Sequence, residues 1–208
     1  MTAGEKFIFF ILTFNFLVAS TIPLDFALVP KINCHDLNGN GSPDFIAFSD
    51  FDFPRTIYHI ELSNGEAEIL WQYSMPKEKK GYFIDTIIND FDNDGIIELI
   101  TTVYEDSNSK IFYIFYADAM GFYINSPTVI GLNNPSTLIN NPQKMYSMSS
   151  DEGGKSLFIL TQGSPNRQVI ICEYRDGEII ARGSVGKKFL NTTIAPINIA
   201  LGDFNGDG

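Results

Sequence analysis

Short, mostly apolar runs rich in β-branched and aromatic residues, bounded by turn residues, recur along the chain, the pattern of short β-strands. The runs predict four strands at 28–33, 45–49, 56–62 and 67–73, four more at 82–88, 99–104, 111–117 and 122–129, and a third set at 144–148, 157–161, 168–174 and 178–185. A last strand is expected at 198–202. Asn64-Gly65 and Asp176-Gly177 fall between paired runs as hairpin dipeptides, and Gly121 marks another turn. No stretch carries the 3.6-residue apolar period of a helix. The pattern predicts an all-β protein.

The strand sets follow an internal repeat. Acidic loops begin at Asp36 (DLNGNGSPD), Asp90 (DFDNDGIIE) and Asp203 (DFNGDG). A fourth copy belongs near 148, where MSSDEGGKS precedes LFILTQ much as the second loop precedes LITTVY. Gly153 there takes the place of Gly95, while Met148, Ser150 and Ser156 replace carboxylates, so this copy keeps the turn and loses most of its ligand positions, abandoning the metal. The intervals are then 54, 58 and 55 residues (36 to 90, 90 to 148, 148 to 203). Units of four antiparallel strands at such a period predict β-propeller blades, which close as rings of about four to eight. Blades are expected at 28–75, 82–130 and 143–186, with a truncated one at 197–208. Three blades and a fragment do not close a ring, so the chain is expected to be part of a longer protein with seven or eight blades.

The loops carry the chemistry. In D-x-D-x-D-G-x-x-[DE], positions 1, 3 and 5 turn oxygen-bearing side chains toward one centre and the glycine carries the backbone through a sharp turn. Position 7 adds a backbone carbonyl and position 9 a carboxylate able to bind through both oxygens, which together suit Ca²⁺ better than the tighter octahedron of Mg²⁺. The expected ligands of the second loop are Asp90, Asp92, Asp94, the Ile96 carbonyl and Glu98; those of the first are Asp36, Asn38, Asn40, the Ser42 carbonyl and Asp44. Asp203, Asn205 and Asp207 open a further set at the end of the chain. Two charged ligands against four predict weaker binding at the first loop than at the second. An EF-hand is excluded, because position 12 is Ala47 or Thr101 and strands rather than helices flank both loops.

At these residues the chain resembles the FG-GAP, or VCBS, repeat family, whose blades form integrin alpha propellers and occur in many secreted bacterial proteins. The resemblance spans 28–208. It implies a β-propeller in which a Ca²⁺ loop joins the first two strands of a blade, matching 36–44 and 90–98. The literal FG and GAP tripeptides are absent.

Charge and cysteine content narrow the partners. The net charge of −11, from 25 acidic and 14 basic residues, disfavours nucleic acid and favours divalent cations. Cys34 and Cys172 form no zinc spacing and read as two small core residues rather than a disulfide framework. Residues 1–20 have a basic Lys6, an apolar run from Phe7 to Ala19 and small residues at the end, as in a secretory signal peptide. The run is shorter than the roughly 20 residues needed to cross a bilayer. Export to the cell surface or beyond is expected, with membrane attachment only if this segment is retained or a later one anchors the protein.

Motifs for a nucleophile elbow, a P-loop, a dinucleotide fold or HExxH are absent, and the only histidines, His35 and His59, read as strand residues. Trp71, Tyr73 and Tyr82 offer a sugar-stacking surface but read first as packing between sheets. Asn191-Thr192-Thr193 is a glycosylation sequon if the source is eukaryotic. The leading expectation is a non-catalytic, calcium-binding propeller module that binds an extracellular protein or carbohydrate; the alternative is the propeller of an exported enzyme such as a polysaccharide lyase.

Overall fold

Phe112 to Tyr116 reads FYIFY, apolar at every position, and such a strand needs cover on both of its faces. The computed structural model supplies it. The structure describes residues 33–49, 54–63, 66–79, 81–105, 112–118, 123–133, 142–148, 157–162 and 168–185. The N-terminal segment 1–20, the rest of the third loop after Met148, the strand expected at 198–202 and the acidic set at Asp203, Asn205 and Asp207 lie outside them.

The described residues form three sheets and no helix. The first holds β1 (Asn33–His35), β2 (Asp44–Phe48), β3 (Thr56–Ser63) and β4 (Glu66–Ser74) in that order. The second repeats the plan with β5 (Gly81–Asn89), β6 (Glu98–Glu105), β7 (Phe112–Tyr116) and β8 (Thr128–Ile130). In the third, β10 (Pro142–Met148), β11 (Leu157–Gln162), β12 (Val169–Arg175) and β13 (Glu178–Val185) pair antiparallel in sequence, and β9 (Leu132–Asn133) adds to the outer edge.

Alternation sorts the second sheet's side chains into two cores. Ile88, Leu99, Val103, Tyr113 and Phe115 face the first sheet, where they meet Ile46, Phe48, Ile57, Trp71 and Met75. Ile87, Ile100, Phe112 and Ile114 face the third, against Met145, Phe158, Leu160, Ile170 and Ile179. The second sheet is therefore the filling between the other two. Successive residues of β7 go to opposite cores, which is why FYIFY has no polar position.

The opening strands are neighbours: β5 touches both β1 and β10. A β-bulge between Phe83 and Asp85 re-aims the β5 backbone. Asp85, 1% exposed, accepts the Met145 N–H at 2.7 Å through Oδ2 and the Thr86 N–H at 2.8 Å through Oδ1. A buried carboxylate thus fastens β5 to β10 across the sheet boundary. It needs those donors, since a buried charge left unpaired is costly.

Strand assignments agree with the sequence pattern over most of the described chain. Asp176 and Gly177 take φ of 54° and 77°, the left-handed pair a type I′ hairpin requires. One strand differs. The run expected at 122–129 resolves into a single bridge, Ala117 to Tyr123, and the short β8. Pro127, with no N–H to give, stands between them. The pairing of β9 with β13 was not anticipated; it is parallel, aligning Leu132 with Ile179, and two residues are too few to show a period. Cys172 is a buried free thiol, as the core assignment expects, and so is not bonded to Cys34.

Candidate metal centre

Both described acidic loops fall between the first two strands of their sheets, the first joining β1 to β2 and the second β5 to β6. They share one hydrogen-bonded frame. In the second, Asp90 Oδ1 accepts the Asp94 N–H at 3.1 Å and its Oδ2 the Gly95 N–H at 3.0 Å. Asp94 Oδ1 accepts the Ile96 N–H at 2.8 Å, and Glu98 Oε2 the Phe91 N–H at 2.7 Å. In the first, Asp36 accepts from Asn40 and Gly41, Asn40 Oδ1 from Ser42 at 2.7 Å, and Asp44 Oδ2 from Leu37 at 2.6 Å. Each partner holds the same loop position in both copies. Gly41 and Gly95 turn the corner at φ of 85° and 88°, the left-handed backbone that glycine adopts without strain.

The copies differ in charge. Asp90, Asp92, Asp94 and Glu98 each bring one carboxylate oxygen within 4.8 Å of the others, a span that a single ion with ligands at 2.3–2.6 Å can bridge. Glu98 is 0% exposed, and its Oε1 accepts no hydrogen bond from the described residues. Burial, offset in part by the Phe91 N–H and reinforced by Asp92, Asp90 and Asp94, pushes the Glu98 carboxyl up to about 8. Desolvation and then Asp94 raise Asp92 as well. Hard oxygens, mutual repulsion and an orphaned buried oxygen are the donor set that a hard cation satisfies. Ile96 is in place at position 7, 41% exposed.

The first loop gathers no comparable carboxylate cluster among the described residues. Asn38 and Asn40 direct their side-chain amides to Glu61 Oε2, at 3.0 and 2.5 Å. Glu61 lies on β3, directly across from Asp44 in register, and those two amides hold its carboxyl below the usual range. The corresponding residue across from Glu98 is Tyr116, whose hydroxyl lies 2.6 Å from that of Tyr174 in the third sheet.

Two contacts near the loops were not legible as site features. His59, expected to be an ordinary strand residue, is fully buried with Nε2 3.1 Å from Asp44 Oδ1. That approach lacks the alignment of a hydrogen bond. Its ring also packs edge-on to Tyr123 at 6.0 Å. Glu61 sits 17 positions beyond Asp44 and belongs to no motif; only an expected β2–β3 register could have pointed to it. Of the three aromatics flagged in the sequence, Trp71 is buried and meets Phe115 and Tyr123, Tyr73 packs on Phe115, and Tyr82 is exposed and stacked on Tyr104 at 5.2 Å.

The second position of each loop ties it to the cores. Leu37 packs against the core between the first and second sheets, and Phe91 enters the core between the second and third. Phe91 meets Phe158 edge to face at 6.0 Å. No protein-family model and no curated protein matches the chain.

Proposed function

We propose that residues 90–98 bind Ca²⁺ and that the cation braces the packing of successive sheets, in a chain whose sheets are blades of an FG-GAP-like β-propeller. The observation that carries the metal assignment is the gathering of four carboxylates within 4.8 Å of one another, one of them the fully buried Glu98 with its Oε1 unbonded among the described residues. Asp90, Asp92, Asp94 and Glu98 would hold the ion, with the Ile96 carbonyl completing the set. A bound Ca²⁺ supplies positive charge that offsets their repulsion. The rest follows from the chain's own bonds: Glu98 accepts the Phe91 N–H, and the Phe91 ring packs on Phe158 in the core between the second and third sheets.

The blade assignment rests on three features. Consecutive sheets have the same antiparallel strand order in their first four chain-ordered strands, they stack face to face through two cores, and their opening strands are neighbours along one side. Such a module is structural rather than catalytic, exported by its N-terminal segment, and presents loops and edges to an extracellular protein or carbohydrate. Weak sites stay filled outside cells, where calcium is abundant.

Thermal unfolding in Ca²⁺ and in EGTA tests this. A ligand that binds only the folded state at a hundredfold excess over Kd stabilises it by about 2.7 kcal/mol, so the melting temperature rises by several degrees in Ca²⁺. Equal melting temperatures in the two buffers would overturn the assignment.

A further inference from the structure

We propose that Glu61 takes the place of the cation at the first loop, holding residues 36–44 in their folded shape without Ca²⁺ and competing with it for Asn38 and Asn40. The inference rests on the reading of both loops as cation loops and assigns them opposite dependence on the ion.

The geometry follows from the shared frame. In each loop, the side chains at positions 3 and 5 use one oxygen to accept backbone N–H groups. In the second loop Asp92 and Asp94 then have a second oxygen left, and it is anionic. In the first loop the remaining atom of each side chain is an amide nitrogen. Its orientation is fixed, because Asn38 Oδ1 accepts the Asn40 N–H at 3.1 Å and Asn40 Oδ1 accepts the Ser42 N–H at 2.7 Å. Turning either amide over would set an N–H₂ group against a backbone N–H.

Both nitrogens converge on one oxygen, Glu61 Oε2. Hydrogen bonds to an ionised acceptor are stronger than neutral ones, and Glu61 is 8% exposed, where little water competes. The loop is therefore closed electrostatically by a carboxylate meeting two donors. The second loop has four carboxylates and, among the described residues, no such counterpart at that register position, since Tyr116 occupies the position of Glu61 and is engaged with Tyr174. A cation drawing on Asn38 and Asn40 would compete with Glu61 for the placement of those side chains, and with two charged ligands against four it is held more weakly than at the second loop. Glu61 is thus a positioning residue with a specificity role: one loop of the pair responds to calcium and the other is constitutively set.

Amide hydrogen exchange on the full chain tests the proposal, with Ca²⁺ alone as the probe. On moving the wild type from Ca²⁺ to EGTA, the amides of Asp94, Gly95 and Ile96 are expected to lose protection by roughly tenfold or more, while those of Asn40, Gly41 and Ser42 change by less than about twofold. In Glu61→Ala, the first-loop amides are expected to lose protection in EGTA and to regain it in Ca²⁺. Equal loss at both loops of the wild type would overturn the role of Glu61, and this comparison needs no variant. First-loop exchange in EGTA that Glu61→Ala leaves unchanged would overturn it too. A second loop indifferent to Ca²⁺ would instead overturn the cation reading, with the Glu61→Ala arm in EGTA still deciding the latch.

Discussion

The backbone N–H of Phe91 donates to Oε2 of Glu98 at 2.7 Å, so a residue of the core between the second and third sheets is tied to the carboxylate that closes the acidic loop. Packing and the proposed ion site therefore share one link. Phe91→Ala removes a ring that is 1% exposed and is expected to cost about 3–5 kcal/mol. Calorimetric unfolding measures the loss. Because the same segment carries the loop, the stabilisation by Ca²⁺ should shrink in this variant as well, whereas Ile170→Val, in the same core but remote in sequence from the loop, should leave it intact.

Glu98 sets a pH dependence in the cation-free protein. Its folded carboxyl is raised from 4.5 to about 8, so between these values the folded state binds more protons than the unfolded state. By linkage, its contribution favours folding below about pH 4.5 and is lost as pH rises through about 8. Stability measured in EGTA should fall over that window, and Glu98→Gln should flatten the slope. Calcium binding near neutral pH should release protons, read as a buffer-dependent heat.

Asp85 carries a prediction independent of metal. Asp85→Ala leaves the buried Met145 N–H without its acceptor, and a lost partner at a buried donor costs about 1–3 kcal/mol. Chemical denaturation should record this in Ca²⁺ and EGTA alike. A variant whose deficit appears only in EGTA would contradict the role of Asp85 as a bond between β5 and β10.

The two loops should respond unequally to truncation. Asp92→Ala is expected to lower Ca²⁺ affinity more than Asn38→Ala, by at least tenfold as read by titration, since it removes one of four clustered charges. In EGTA the ranking reverses. Asp92→Ala relieves repulsion among carboxylates, while Asn38→Ala breaks a bond to Glu61.

How much of this could be read beforehand differs by scale. Strand positions were legible because each run is short, rich in apolar, β-branched or aromatic residues and bounded by turn residues, and the loops were legible because aspartate, asparagine and glycine recur at fixed spacing. What the sequence hid are partners set by register and by stacking. Glu61 meets Asn38 only once β2 and β3 align, His59 meets Asp44 for the same reason, and Asp85 finds Met145 60 residues away across a sheet boundary. None of these has a local pattern. The split of 122–129 at Pro127 was, by contrast, visible in principle, as a proline inside an expected strand signals a break.

Titration of Ca²⁺ into the cation-free chain tests the central claim most directly. The account predicts saturable binding with Kd at or below roughly 10⁻³ M, in which the stronger site is weakened by Asp94→Asn and left intact by Asn40→Ala. Absence of binding in that range, or a stronger site that Asp94→Asn leaves unchanged, would contradict it.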